Sequence, residues 1–286
     1  MNYRHEFHAG NFADVLKHVF LTHVLLYLRR KEAPFRFIDT HAGAGLYDLE
    51  GPDAQRSNEA REGILRLLER ADLGTAAEWL QPYLDIVRAA GAPKFYPGSP
   101  LIAKSLLRKQ DKALFCEMLP QAAKDLRVSL KRDARTKVLE IDGYQGLKAF
   151  LPPAERRALV LIDPPYERRD EFERIFGALA DALRKFPGGI FMIWLPVKES
   201  DVVEAFCRAV AALAPKRLRV DLRVEKTMPG GQLAQTGLLV VNPPFGLAED
   251  AERFMPVLTQ FLARGEGAYC SLEHVEQEAS PRAKNA

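Results

Sequence analysis

Four consecutive residues, Asp163-Pro164-Pro165-Tyr166, combine groups that could act together on a flat, weakly nucleophilic amine. They follow the apolar run ALVLI, where a buried strand should end. The lone pair of an exocyclic amino group is delocalised into its ring. Two acceptors on its N–H groups, the Asp163 carboxylate and the Pro164 carbonyl, would tilt that lone pair out of the ring plane. The prolines stiffen the turn because each fixes φ at about −65°, and Tyr166 can stack on the ring.

This tetrapeptide resembles the (D/N)PP(Y/F/W) motif of methyltransferases that act on an exocyclic amino group. A carboxylate is too weak a base to remove an amine proton before attack. The nitrogen becomes acidic once it is methylated, so proton loss should follow methyl transfer. We therefore expect catalysis to come mostly from the in-line positioning of the nucleophile, the methyl carbon and the sulfur.

The elements that must position these residues alternate regularly along the chain. We predict seven strands, which are FRFID, ALFCEM, KVLEIDG, ALVLIDPPY, GIFMIWLPV, RLRVDLRVEK and TGLLVVNPP. Helical stretches separate the first six, so right-handed crossovers should give a doubly wound parallel sheet of the α/β class. The last two strands have no helix between them, and we expect a hairpin that makes one edge antiparallel.

Two further segments complete the organisation. Residues 12–30 carry apolar side chains at the spacing of an amphipathic helix, with Asn11 as N-cap and Pro34 as stop. Polar and helix-forming residues dominate from Leu46 to Phe95, which predicts small helices without a strand.

The predicted strand ends converge. In doubly wound sheets, ligands bind beyond the carboxyl ends of the strands, and four of these ends are polar: 39–45, Glu117, 142–143 and 163–166. A nucleoside cofactor needs a turn without Cβ obstruction, an acceptor for two ribose hydroxyls and a polar contact for its base. Glycines such as Gly43 would provide the unobstructed turn. The Glu117 carboxylate would accept the ribose hydroxyls, and Asp142 would contact the base.

The glycine spacing discriminates between cofactors. A dinucleotide site has G-x-G-x-x-G, whereas Gly43-Ala44-Gly45 is followed by LYD, so a pyrophosphate is disfavoured. The acidic turn DTHAGAG suits the positively charged sulfonium and amino-acid end of S-adenosylmethionine. An ordinary strand-to-helix turn is the alternative for this pattern.

A second match to the amino-acceptor pattern, Asn242-Pro243-Pro244-Phe245, follows an equally apolar strand. Asp163 closes the fourth predicted strand, whereas Asn242 closes the seventh, the antiparallel member of the hairpin. Its carboxyl end should therefore point away from the crevice. We interpret NPPF as a structural strand terminator, with reversed roles as the alternative.

Composition restricts the class of protein. The chain has 286 residues, 47% of them apolar and 28% charged, with a net charge of +3, which excludes disordered, collagenous and disulfide-stapled chains. A pI near 8.7 permits a nucleic-acid partner without requiring one. The apolar runs fall short of the ~18 residues that cross a bilayer, and no signal peptide is visible. Three scattered cysteines favour a reducing cytoplasm.

Histidines crowd the start of the chain, at positions 5, 8, 18 and 23. No cysteine or carboxylate cluster accompanies them at ligand spacing, so we predict no metal site. Tyr3 and His5 precede the first helix and could stack on a nucleobase. The alternative is a terminus docked on the surface.

Several segments spread over nearly the whole chain carry a further resemblance. They are YRHEFHAGNFADVLKH, FIDTHAGAGLYDL, FYPGSPLIA, the Glu117 and Asp142-Gly143 strand ends, LVLIDPPYE and LLVVNPP. Together they resemble the bacterial large-subunit ribosomal RNA adenine-N6 methyltransferase J family. This implies a Rossmann-like class I methyltransferase domain at 1–45 and 96–275, a helical subdomain inserted at 46–95, and a polar tail at 276–286 that we expect to be disordered.

Carried over motif by motif, the resemblance also implies the roles of site residues. It implies S-adenosylmethionine contacts from His18, His41, Ser99, Glu117, Asp142, Gly143 and Asp163. Asp163 takes the proton-acceptor role, and Tyr3 touches the RNA, joined in our prediction by His5 and Tyr166. Spacing alone does not assign His18 or Ser99, which would otherwise be interpreted as a helix-face histidine and a turn serine.

The implied reaction is methylation of the N6 of an adenine in 23S ribosomal RNA. Protein-poor rRNA is the expected substrate, because a splayed-out base is easier to reach before assembly, and we expect a cytoplasmic monomer. The alternatives are a DNA adenine, a protein glutamine amide, or a non-catalytic RNA-binding module with a vestigial cofactor site. No long DNA-recognition region is visible, and the intact Asp163 and Tyr166 argue against the module.

Overall fold

The computed structural model describes residues 4–198, 200–226 and 233–276. Its strands are β1 (Arg36–Asp39), β2 (Leu46–Asp48), β3 (Phe95–Pro97), β4 (Lys112–Cys116), β5 (Thr136–Leu139), β6 (Ala158–Ile162), β7 (Ile190–Pro196), β8 (Arg217–Arg223), β9 (Gln235–Val241) and β10 (Tyr269–Val275). Its α-helices are α1 (Phe12–Arg29), α2 (Pro52–Ser57), α3 (Ile64–Leu68), α4 (Ala77–Ala89), α5 (Ser99–Leu106), α6 (Pro120–Leu130), α7 (Gly143–Phe150), α8 (Glu171–Lys185), α9 (Ser200–Leu213) and α10 (Leu247–Leu262). Short 3-10 turns lie at His5–Phe7, Glu59–Glu62 and Gly74–Ala76.

The main sheet has eight strands in the order β10-β8-β9-β7-β6-β1-β4-β5. The five strands from β7 to β5 pair in parallel, which confirms the predicted doubly wound α/β fold. The hairpin of β8 and β9 is also confirmed, and β9 runs antiparallel to β7 as well.

The predicted count of seven strands is one too low. β10 pairs antiparallel with β8 along its whole length, so the hairpin does not form the edge of the sheet. The sequence YCSLEHV interrupts its apolar residues with Ser271, Glu273 and His274, and every β10 side chain is half-buried or exposed. An edge strand with so little core contact shows a weak local pattern.

Helices cover both faces of the sheet. Phe37, Phe115 and Leu161 belong to one core, which α1, α5 and α10 complete, and their neighbours Ile38 and Val160 belong to the opposite core, which includes residues of α7, α8 and α9. Successive strand residues point to opposite faces, so both must be apolar, and this explains the continuous apolar runs of the parallel strands.

Helix α1 is buried almost all round. The Asn11 side chain caps it by accepting the N–H of Asp14 at 2.9 Å, as predicted, and the helix packs against α4 and α5. Three of its buried residues are Asp14, Lys17 and His18. Buried charged and polar groups need partners, and those partners lie in the site described below.

Residues 46–95 were expected to form only small helices, but β2 lies at the start of this segment and β3 begins at its end. β2 pairs antiparallel with β3, with Leu46 opposite Pro97 and Asp48 opposite Phe95. The prediction of no strand was wrong because a three-residue strand carries too little pattern to be recognised, and this pairing joins positions far apart in sequence.

The segment between β2 and β3 shares a core with the rest of the chain. Trp79 of α4 stacks on Phe254 of α10 with ring centroids 4.3 Å apart, and Phe20 of α1 lies 5.5 Å from the same Phe254 ring. The division of the chain at 46–95 stays a prediction. Apart from Glu276, the predicted tail lies outside the described residues. Within those residues, no helix has both the length and the apolar character to cross a membrane.

Candidate active site

A cavity of about 560 Å³ opens at the carboxyl ends of β1, β4, β5 and β6. This is where the strand order reverses, the ordinary ligand position in doubly wound sheets. The structure brings together, in its lining, the predicted residues His5, His18, His41, Gly43, Ser99, Glu117, Asp142, Gly143 and Asp163. The volume lies within the range of pockets that hold cofactor-sized ligands.

Asp163 is held by a buried lysine. The Nζ atom of Lys17 lies 2.5 Å from Asp163 Oδ2 and 2.7 Å from Asp14 Oδ1. Burial alone would lower the pKa of Lys17, but the two carboxylates outweigh it and hold the pKa above its usual value. Lys17 therefore stays charged and fixes the position of Asp163.

The chain of charges continues to the N-terminal segment. Asp14 Oδ2 accepts the N–H of Gly10 at 3.0 Å and lies 3.0 Å from His5 Nε2. Burial alone would raise the pKa of Asp14, but Lys17 and His5 outweigh it and hold the pKa well below its usual value. Sequence reasoning missed Asp14 and Lys17, although charged residues three apart on an otherwise apolar helix were a usable signal.

Glu117 follows β4 and is oriented by the backbone. Its Oε2 accepts the N–H of Gly43 at 2.8 Å, and its Oε1 accepts the N–H of Leu119 at 2.8 Å. Each carboxylate oxygen has a second lone pair. The side chain can thus accept further hydrogen bonds from a ligand without losing these two.

Asp142 caps helix α7 and contacts an arginine that sequence reasoning missed. Its Oδ1 accepts the N–H groups of Tyr144 and Gln145 at 2.9 and 3.2 Å, and its Oδ2 accepts Arg174 Nη2 at 2.8 Å. Arg174 also lies over the Tyr144 ring, 4.6 Å from its centroid. The arginine comes from α8, the helix after Asp163, and so joins two walls of the cavity.

His18 is a buried polar residue of the cavity lining. Its Nδ1 lies 2.6 Å from the hydroxyl of Tyr96, which in turn lies 2.9 Å from the hydroxyl of Tyr83. Burial lowers the pKa of His18 well below its usual value, so the ring is neutral. The buried Nε2 of His18 has no hydrogen-bond partner among the described residues, which leaves it free to bind a polar ligand atom.

Ser99 and His41 share a buried carboxylate. Ser99 Oγ donates to Asp39 Oδ2 at 2.7 Å, and the backbone N–H of His41 donates to Asp39 Oδ1 at 3.2 Å. Burial raises the pKa of Asp39 to about 7 and lowers the pKa of His41 to about 4. The cavity lining thus includes a neutral His41, and the Asp39 carboxyl that holds Ser99 and His41 is itself fully buried outside the lining.

Tyr166 is not in the cavity lining. Its hydroxyl donates to the carbonyl of Trp194, and its ring packs against those of Phe172 and Trp194, with centroids 5.1 and 5.6 Å away. Its φ of +52° is in the left-handed region. The structure therefore does not bring Tyr166 beside Asp163 for stacking. Pro164 is buried, and Tyr3 lies outside the described residues.

Asn242, the first residue of the second motif, follows β9 and lies at the amino end of β7, at the end of the parallel strands opposite the cavity. Its Nδ2 donates to the carbonyls of Pro187 and Gly189, both at 2.8 Å, just before β7 begins. Because β9 runs antiparallel to β7, the two motifs cannot share one cavity. NPPF therefore ends a strand, as predicted.

The four early histidines are separately partnered. His5 contacts Asp14, His8 contacts Glu59, His18 contacts Tyr96, and His23 contacts the carbonyl of Trp79. Among the described residues, no three His, Cys, Asp or Glu side chains are grouped as metal ligands would be.

Comparisons with known proteins extend over nearly the whole chain. The family model "Ribosomal RNA large subunit methyltransferase D, RlmJ" matches residues 32–274. "Ribosomal RNA large subunit methyltransferase J" of Escherichia coli K12 is 38% identical over 262 residues, covering 90% of this chain and 92% of the relative. The protein of the same name from Haemophilus influenzae is 36% identical over 275 residues, covering 94% and 97%.

A solved structure is also similar throughout. The crystal structure of protein LPL1258 from Legionella pneumophila shares 32% sequence identity and a TM-score of 0.86, covering 94% of this chain and 99% of that one. The similarity therefore includes both the sheet and the segment between β2 and β3.

Proposed function

This chain belongs to the ribosomal RNA large subunit methyltransferase J family and has the Rossmann-like α/β fold of class I methyltransferases, and we propose that it methylates the exocyclic N6 of an adenine in 23S ribosomal RNA. The observation that carries the proposal is the position of Asp163. This first residue of the amino-acceptor motif lines the same cavity as the cofactor-type residues Glu117 and Asp142. The second copy of the motif lies elsewhere.

The lining of the cavity fits S-adenosylmethionine, which supplies a methyl group activated by a sulfonium. Glu117 would accept the ribose hydroxyls, and Asp142 with the backbone of Gly143 would contact the base. His18, whose buried Nε2 lacks a partner among the described residues, would bind a polar group at the amino-acid end, together with Ser99 and His41. Carboxylates near a sulfonium stabilise it electrostatically.

Asp163 would act with Pro164 on the amine. The Asp163 carboxylate and the Pro164 carbonyl accept its N–H groups and turn its lone pair toward the methyl group. Lys17, 2.5 Å from Asp163 Oδ2, prevents the carboxylate from rotating and leaves its other oxygen for the substrate. After transfer, the acidic nitrogen gives its proton to Asp163.

The substrate adenine would be held by the residues around the cavity mouth. His5 lines the cavity and lies beside Tyr47, with ring centroids 4.8 Å apart. Tyr3 precedes it in the sequence, and stacking by Tyr166 requires its hydroxyl to leave the Trp194 carbonyl. Protein-poor rRNA is the proposed substrate, because the base must be splayed out of its helix, and this places the reaction in the cytoplasm.

A transfer assay with a matched pair of variants tests the proposal. Purified enzyme is combined with labelled S-adenosylmethionine and one acceptor. Protein-free 23S rRNA, DNA and protein are tested in parallel reactions. We expect label only in rRNA, as N6-methyladenine. Asp163→Asn should lower the rate by at least about 100-fold with the fold kept. Asn242→Gly, which removes the other motif but suits its φ of +53°, should leave the rate unchanged.

Other outcomes would redirect the assignment. Label in DNA or in a glutamine side chain would change the acceptor but keep the enzyme class. Tight rRNA binding that ignores the cofactor, without any transfer, would indicate a binding module. Full activity of Asp163→Asn would refute the assignment of the site.

A further inference from the structure

The cavity interior is acidic and its cations are already paired. Its lining includes seven carboxylates, which are Glu6, Glu117, Asp125, Asp142, Asp163, Glu167 and Glu171. Of the four lining Lys and Arg side chains, Lys17 is bound to Asp14 and Asp163, Arg174 to Asp142 and Glu171, Arg168 to Asp170, and Arg4 to Asp53. Such a lining suits a positively charged cofactor but repels a polyanion. A nucleic-acid substrate must therefore find its phosphate contacts outside the interior.

One group of basic side chains meets this need at the edge of the cavity. The guanidinium carbons of Arg4 and Arg56 lie 5.7 and 6.0 Å from the centroid of the same ring, that of Phe7. Arg4 lines the cavity, with 59% of its side chain exposed, and Arg56 is exposed on α2. A single aromatic ring thus separates the cavity edge from a second arginine.

We propose that Arg4, Phe7 and Arg56, together the arginine clamp, bind the sugar-phosphate backbone of the RNA strand that delivers the adenine. This inference rests on the proposed function and assigns the backbone contact of its substrate. Guanidinium groups bind phosphate in a bidentate manner, and two of them around one ring can hold neighbouring phosphates of a single strand. Backbone contacts of this kind set position and affinity, not sequence.

The local charges favour a phosphate ligand. Arg4 pairs with the Asp53 carboxylate, and Arg56 carries a second positive charge beside the same Phe7 ring. An exposed ion pair of this kind is worth about 0 to 1 kcal/mol, so a phosphate can replace or share the contact. The clamp also ties two distant parts of the chain, since Ser57 of α2 donates to the carbonyl of Phe7. Its geometry is therefore set before RNA binds.

The test compares arginines that differ in position. Arg4→Gln and Arg56→Gln remove one charge each, Arg56→Lys keeps the charge, and Arg88→Gln is the control. Arg88 is also an exposed arginine of the inserted segment, on α4, with Asp85 as its partner at 3.4 Å. Dissociation constants for protein-free 23S rRNA are measured over a KCl series, together with kcat and KM for RNA and the affinity for S-adenosylmethionine.

Each Gln substitution in the clamp should weaken RNA binding by roughly fivefold and reduce the slope of log K against log salt by roughly 0.7 to 0.9. For Arg56→Gln the effect should fall on KM for RNA and not on cofactor affinity. Arg56→Lys should keep the slope of the wild type, and Arg88→Gln should behave as the wild type throughout.

Three results would count against the clamp. If the wild type methylates rRNA but the clamp variants match Arg88→Gln, the clamp is wrong and the proposed function stands. If Arg56→Lys loses as much RNA affinity as Arg56→Gln while its thermal midpoint also falls, the arginine only packs Phe7, and the clamp is wrong. If the wild type neither binds nor methylates rRNA, the proposed function fails, and the clamp fails with it.

Discussion

Lys17 illustrates how a single buried residue can organise a site. Its side chain is 5% exposed and lies between two carboxylates, Asp14 on its own helix and Asp163 on the loop after β6. A buried ion pair adds little net stability, but breaking it leaves an uncompensated charge. The three groups are therefore expected to act as a unit.

We predict that Lys17→Met lowers the methyl-transfer rate by about 100-fold, because Asp163 loses the group that orients it. The substitution should also cost roughly 3 to 5 kcal/mol in the free energy of unfolding, since Asp14 keeps only its contacts with His5 and the backbone. Single-turnover rates and urea unfolding measure the two effects.

The double variant separates positioning from folding. If Lys17 acts through Asp163, then Lys17→Met in an Asp163→Asn background should remove little further activity. Additive losses in rate, with unfolding curves that show both proteins folded, would contradict the positioning role.

The raised pKa of Asp39 predicts the direction in which the free energy of unfolding changes with pH. Burial raises its pKa from 3.8 to about 7 in the folded protein. Between these values the folded protein keeps a proton that the unfolded chain has lost, so this residue makes folding less favourable as the pH rises. Asp39→Asn removes the effect. The stability of the variant relative to wild type should thus increase from about pH 4 to about pH 7, by at most ~1.4 kcal/mol per pH unit.

The comparison with wild type matters because His41 acts in the opposite direction. Burial lowers its pKa from 6.5 to about 4, so its contribution to stability is lost as the pH falls through that window. The two residues therefore oppose each other in the wild-type profile. A stability difference between Asp39→Asn and wild type that does not change with pH would show that Asp39 is ionised throughout.

At the level of elements, the start of helix α7 is pressed against the turn after β1. A Cβ atom added to Gly143 would lie 2.0 Å from the carbonyl oxygen of Thr40, whereas one added to Gly177, within α8, would meet nothing within 4 Å. These two glycines, both in helices on the same face of the sheet, therefore provide a matched comparison.

We predict that Gly143→Ala destabilises the fold by about 1 to 3 kcal/mol and weakens cofactor binding, because the Thr40 backbone must move away from the cavity. Gly177→Ala should stabilise the protein by about 0.5 to 1 kcal/mol, as alanine favours a helix interior, with cofactor binding unchanged. Urea unfolding and titration calorimetry check both. Equal behaviour of the two variants would contradict the close approach of α7 to β1.

For the whole molecule, the shared core predicts a single unfolding transition. The chain has two tryptophans, Trp79 in the segment between β2 and β3 and Trp194 in β7. Trp79 stacks on Phe254 of α10, so the segment between β2 and β3 cannot detach without exposing the core that it shares with α10. Trp194→Phe keeps Trp79 as its only tryptophan, and Trp79→Phe keeps Trp194. In each variant, we expect the urea transition followed by fluorescence to have the same midpoint and slope as the transition followed by circular dichroism. An earlier transition of Trp79 would indicate an independent unit.

Much of this protein could be predicted from its sequence. The alternation of helical and strand periodicities determined the α/β class. Helix α1 was predicted to within one residue of its observed bounds, and β6 and the β8–β9 hairpin were predicted at their observed places in the chain. The predicted antiparallel direction of the strand before Asn242, observed as β9, sufficed to separate Asp163 from Asn242. These features depend on periodicity and chain order, which a linear pattern records.

The rest was decided by contacts between distant residues. The Lys17–Asp163 and Arg174–Asp142 pairs join separate elements, and no local pattern marks which charges will meet. The pairing of β2 with β3 and the packing of Tyr166 into the core depend equally on long-range contacts. A sequence determines which groups follow the strands. The energy of burying a charge or a ring depends on what the folded chain places beside it, so only the tertiary structure could decide how the site is organised.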